Sequence, residues 1–142
     1  MDPELFGRMV ARIVTDEDMD RPLAERVMDQ ALAFLGACAE RPGLGLGPSS
    51  LVDIGWHTFI LHTREYAAFC HGIAGHFMHH VPTDEENPGD GTTVADTVNA
   101  IRECGFEVDA ALWATCAADC EFTKKCGSCS QCQKGCSEGN AV

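Results

Sequence analysis

The chain lacks any run approaching the roughly 18 apolar residues that a membrane span requires, so no spanning helix is expected. Basic charge is scarce too: 10 lysines and arginines stand against 22 aspartates and glutamates, a formal net charge of −12. Nucleic acid and anionic membrane surfaces both repel such a protein, so neither is an expected partner. The opening MDPELFGRMVARIVTDEDMD has no positively charged start followed by an apolar stretch, as a secretory signal would, and a cytoplasmic location is expected. Nucleophile elbow, phosphate-binding loop and dinucleotide fingerprint are all missing, which leaves no substrate class implied. Strand-like alternation of useful length and internal repeats are missing as well.

What remains is helical patterning. At 142 residues, with 45% hydrophobic and 23% charged residues, the chain fits one soluble domain with a short appendage. Leu5, Phe6, Met9, Val10 and Ile13 recur at helical spacing and predict a helix over Asp2 to Val14, interrupted by the four acids between Thr15 and Asp20. A second helix starts near Pro22, presents Leu23, Val27, Ala31, Phe34, Leu35 and Cys38 along one face, and ends before Pro42 and the glycines of PGLGLGP. Ser50 with Asp53 reads as a capping box opening a third helix, which runs through Trp56, Phe59, Tyr66 and Phe69 to about His71. Pro82 argues against helix beyond His80, and TDEENPGDG reads as a surface loop. A fourth helix fits Thr93 to Cys104, capped by Thr93 and Asp96 and stopped by Gly105; a last one fits Asp109 to Ala118. The expected fold is all-α: a small helical bundle over residues 1–115, with a short, irregular, cysteine-rich metal-binding tail over 116–142.

All six histidines fall between His57 and His80. At about 100° per residue, Asp53 and His57 lie one turn apart on one helix face. Arg64 and His71 continue that stripe, where Arg64 would repel a cation, and His62 points roughly the opposite way. His79 or His80 can join Asp53 and His57 only if the chain folds back after Gly72 or Gly75. Three readings follow for Asp53, His57 and His80. They hold a divalent metal through mixed nitrogen and oxygen ligands with an open coordination position. Alternatively, Asp53 fixes the tautomer of His57, which acts as a general base. In the third, the groups hydrogen-bond one another and brace the third helix against the following turn, as buried polar groups must.

The letters of this segment carry a resemblance. The pattern D-x-x-W-H at Asp53, Trp56 and His57, then F-I-L at Phe59 to Leu61, Tyr66, Phe69–Cys70 and F-M-H-H-x-P ending at Pro82, resembles the glycine-rich domain-containing-protein-like family. The likeness spans about Leu51 to Pro82. It implies an α-helical domain, no particular reaction, and singles out Asp53, Trp56, His57 and His80.

Nine cysteines accompany these histidines. In a reducing compartment, dense cysteine spacing points to metal or redox chemistry, and an odd number cannot all pair as disulfides. Cys126, Cys129, Cys132 and Cys136 occupy 11 residues with the spacing C-x2-C-x2-C-x3-C of bacterial ferredoxins, except that Ser137 stands where proline usually follows. No second such run exists, which excludes a two-cluster ferredoxin but not a single [4Fe–4S] cluster. Zinc fits at least as well: the C-x2-C steps form knuckles, and Cys116 and Cys120 align on one face of the expected last helix. Six thiols from Cys116 to Cys136 exceed one tetrahedral ion. Three lysines and two glutamates after Cys120 leave the tail with a net charge of +1, which favours thiolates. A disordered thiol-rich tail and a disulfide knot are the plainer alternatives. Cys38, Cys70 and Cys104 read as core residues, with Cys70 and Cys104 as extra ligands the alternative.

The expected function is that of a cytosolic metal-binding helical protein. Its cysteine tail holds structural zinc, with a [4Fe–4S] cluster as the alternative, and orders a surface for another protein. An enzyme using Asp53, His57 and His80 is the rival reading. A store or sensor that exchanges zinc or copper(I) is the third. The apolar helix faces fit a monomer core or a dimer equally well.

Overall fold

A computed structural model describes residues 1–80 and 94–114. Among them are five α-helices, one 3₁₀ turn and no strand: α1 (Pro3–Glu17), α2 (Arg21–Glu40), α3 (Ser50–Leu61), α4 (Thr63–Ala74), α5 (Val94–Glu103) and a 3₁₀ turn at Ala110–Trp113. The described fold is a small all-α bundle.

α1 and α2 each begin where a short polar side chain takes an orphan amide. Asp2 accepts from the Leu5 amide at 3.0 Å and Asp20 from Leu23 at 3.1 Å, with Pro3 and Pro22 preset for the first turns. α1 continues three residues past Val14. Its exposed acids sit poorly with the C-terminal dipole, at a cost of about 0.3–1 kcal/mol, which does not outweigh the buried stripe of Leu5, Met9, Val10 and Ile13. Asp18, in the left-handed region at φ 52°, ends the helix.

α2 is the central helix and packs against α1, α3, α4 and α5. It buries Ala24, Val27, Met28, Ala31, Phe34 and Leu35. Gly55 of α3 lets that helix approach closely, since a Cβ there would stand 2.8 Å from the Ala31 Cβ and 3.1 Å from the Val27 carbonyl oxygen. α3 contributes Val52, Trp56 and Phe59, α4 Tyr66 and Cys70, and α5 Thr97, Ala100 and Ile101. The latter sets keep the i, i+3, i+4 spacing of a single apolar face.

Two expectations about the third helix are corrected. Its N-cap is Ser49, whose hydroxyl accepts from Val52 at 3.2 Å and donates to the Leu112 carbonyl at 2.7 Å. Asp53 therefore falls one residue beyond the capping-box position and is available elsewhere. The helix also breaks at His62 (φ −91°, ψ 72°) instead of running on to His71. There the His62 amide turns to the Phe59 carbonyl, and the His62 ring donates through Nδ1 to the Thr58 carbonyl at 3.1 Å. A side chain thus replaces the backbone partner, and α4 leaves in a new direction.

α5 ends as expected at Gly105 (φ 90°), with amide bonds from Gly105 to Arg102 and from Phe106 to Ile101 closing a Schellman motif. The segment after it is strapped across α2. Gln30 donates to the Glu107 carbonyl and accepts from the Asp109 amide and the Trp113 indole, while Arg26 makes two bonds to Asp109 at 2.7 and 3.0 Å. The expected last helix is here a single 3₁₀ turn, and Ala114 is extended. The TDEENPGDG loop, the Thr93 cap and every tail cysteine from Cys116 to Cys136 lie outside the described residues.

Candidate functional site

The site forms where the chain folds back after α4. Gly75, at φ 78°, caps α4 in the left-handed conformation and turns residues 76–80 back over α3. Tyr66 fixes that return. Fully buried on α4, its hydroxyl accepts from the Trp56 indole at 2.9 Å and donates to the Met78 carbonyl. Burial pushes the Tyr66 pKa up, so the phenol keeps the proton it donates. One hydroxyl thereby joins α3, α4 and the 76–80 segment.

His80 comes to rest on Trp56, with ring centroids 4.2 Å apart, and its Nε2 lies 2.7 Å from Asp53 Oδ1. The other carboxylate oxygen, Oδ2, lies 3.3 Å from His57 Nε2 one turn further along α3. The two imidazoles are 4.4 Å apart. Asp53 and His80 are mostly covered, with 22% and 14% of their side chains exposed, whereas His57 is 61% exposed. One ligand atom from each residue falls within a common 4.8 Å span. Beside them is a cleft of about 380 Å³ lined by His57, Ile60, Leu61 and His80.

The carboxylate sits between two imidazoles, each able to donate a ring N–H to one of its oxygens. A divalent ion would draw on the same three groups, displacing those protons as it bound, because imidazole ligates through a neutral nitrogen. Three ligands of this kind leave coordination positions open. General-base chemistry at His57 also has its elements here, although Asp53 makes its shorter contact with His80.

Sequence reasoning brought Asp53, His57 and His80 forward together, and the structure places them together. It separates Arg64 and His71, which the break at His62 moves onto α4. Of the nearby aromatics, Trp56 packs on His80, Phe59 is buried in the core, and Phe77 packs on Tyr66 and His79. Tyr66 was missed as the clamp. Its signal was available, since a buried tyrosine hydroxyl almost always finds a partner. Of the three described cysteines, Cys70 is buried in the core, while Cys38 and Cys104 are half-buried against it.

No curated protein and no solved structure matches the chain. A family model described as UCP032817-like matches residues 5–93. That span is well over half of the sequence and holds α1 to α4 with all three residues of the site, and the chain belongs to that family.

Proposed function

We propose that this is a metal-binding protein whose described centre is Asp53, His57 and His80. The observation that carries this reading is the convergence of one carboxylate and two imidazoles within 4.8 Å, from two segments that only the fold brings together. Nitrogen and oxygen donors of this kind suit a first-row divalent ion such as zinc or iron(II). The tail supplies a second, softer donor set at Cys116, Cys120, Cys126, Cys129, Cys132 and Cys136, for structural zinc or a [4Fe–4S] cluster. In this reading the ordered tail serves a protein partner in the cytoplasm. The likeness of residues 51–82 to the glycine-rich domain-containing-protein-like family is consistent with a helical domain and adds no reaction.

A second reading, a metal-dependent enzyme, is favoured by the cleft at His57 and His80, which leaves room beside the open coordination positions. A metal store or sensor would rest on the tail alone.

Cobalt substitution in the full chain, purified without oxygen, tests the centre. Cobalt on thiolates shows a sulfur-to-metal charge-transfer band that cobalt on oxygen and nitrogen lacks. The His80→Ala variant is expected to lose about one equivalent of bound ion while that band stays intact. If it binds as much cobalt as the unaltered chain, Asp53, His57 and His80 are a hydrogen-bonded brace and the proposal fails.

A further inference from the structure

On the other side of Trp56 lies a second recess, of about 400 Å³, between the end of α2, the loop after it and the returning segment 76–79. Its walls are apolar, formed by Leu35, Cys38, Leu46, Trp56, Phe77 and Met78. Burial pushes the Cys38 thiol up to about 12, so it stays protonated and acts as wall, not nucleophile. The ionisable groups at the opening are Arg41, His76 and His79. Among the described residues no acid lines the recess, in a chain with more than twice as many acids as lysines and arginines. Arg41 is held in place by Glu103, which accepts from one guanidinium nitrogen at 3.0 Å and, among the described residues, leaves other donors of the fork for a ligand.

An apolar recess of this size with a few convergent polar groups is the usual form of a small-molecule site. Here the one permanently charged group among the described lining residues is the Arg41 guanidinium. We propose that this recess binds a medium-chain monocarboxylate, with its alkyl chain against Leu35, Leu46 and Met78 and its carboxylate on Arg41. The charge pattern selects the anion: a carboxylate adds charge-assisted bonds to donors of the Arg41 fork that the single bond to Glu103 does not use, whereas an alcohol of equal length adds none of that strength. Arg41 is a specificity-determining residue in this assignment. The proposal is independent of metal at Asp53, His57 and His80.

The test uses the full chain with octanoate and octanol as probes, followed by calorimetry and by amide and indole NMR. Octanoate is expected to bind one to one, shifting the Trp56 indole and the amides of Cys38–Leu46 and His76–His79. Octanol is expected to bind at least about tenfold more weakly, because it lacks the charge-assisted bonds. Arg41→Gln should bring octanoate down to the affinity of octanol and leave octanol unchanged. Glu103→Gln removes the same ion pair but keeps the cation, so it should retain octanoate binding or tighten it. That variant separates loss of recognition from loss of structure. The proposal is overturned if octanoate does not saturate at millimolar concentration, if octanol binds equally well, or if Glu103→Gln weakens octanoate as much as Arg41→Gln does. Shifts centred on His57 and Leu61 would also overturn it, as would shifts that track self-association of the chain.

Discussion

Replacing Tyr66 with phenylalanine removes one oxygen and strands two buried groups, the Trp56 indole N–H and the Met78 carbonyl. Leaving such groups unpaired costs about 1–3 kcal/mol, and the Tyr66→Phe variant should unfold at correspondingly lower urea. For the proposed metal centre, zinc affinity is the sharper readout. Tyr66 touches neither Asp53 nor His57, yet affinity should fall because the segment carrying His80 is no longer pinned. A second residue-scale expectation concerns acid. Hydrogen bonds from Arg26 hold the Asp109 pKa below the ordinary carboxylate value. A depressed folded-state pKa contributes stability above the unfolded value and loses it as pH falls through the folded one. The urea midpoint should therefore hold above the ordinary carboxylate value of about 4 and drop as pH falls below it, and Asp109→Asn should flatten part of that fall. At this scale the sequence was most legible where chemistry and spacing coincide, as at Asp53 and His57. It was least legible at Ser49 and Ser50, where two adjacent serines offer the same cap and only the Leu112 contact decides between them.

The helices divide into those set by their own periodicity and those set by a competing contact. α2 and α5 follow their apolar spacing and stop residues closely. The third helix does not, because the apolar positions from Val52 to Cys70 read as one continuous stripe. His62 breaks it with a ring-to-carbonyl bond that no hydrophobic pattern encodes. The same break removes Arg64 from the stripe of Asp53 and His57. Packing between elements gives a paired prediction at two glycines. Gly55→Ala drives a methyl group to 2.8 Å from Ala31 and should cost about 1–3 kcal/mol. Gly7→Ala, in α1 with nothing within 4 Å of the new Cβ, should instead stabilise by about 0.4–1 kcal/mol. Chemical denaturation of the two variants side by side measures both.

For the molecule as a whole, the segment from Gly105 to Ala114 acts as the closing strap. It carries the partners of Gln30, Arg26 and Ser49 and sets Trp113 against Phe34 with ring centroids 6.3 Å apart. The span that defines the family ends at residue 93, before α5 and this strap. A chain cut after residue 115 should keep a cooperative thermal transition by circular dichroism. One cut after residue 93 should lose it, because the core face of α2 is uncovered. The strap was hard to foresee, since its bonds join residues up to 83 positions apart through a glutamine and an arginine in a helix.

The Asp53–His80 bond links positions 27 apart through two helices and a left-handed turn. Closing such a loop is favoured once those elements exist, so the contact is expected to form on the native side of the folding barrier, where added binding energy lowers the unfolding rate and leaves folding alone. Zinc at this centre should accordingly lengthen the life of the folded chain without hastening its formation. Stopped-flow unfolding and refolding with and without the ion measure the two rates separately. Faster refolding in zinc would mean that His80 has already reached Asp53 at the transition state.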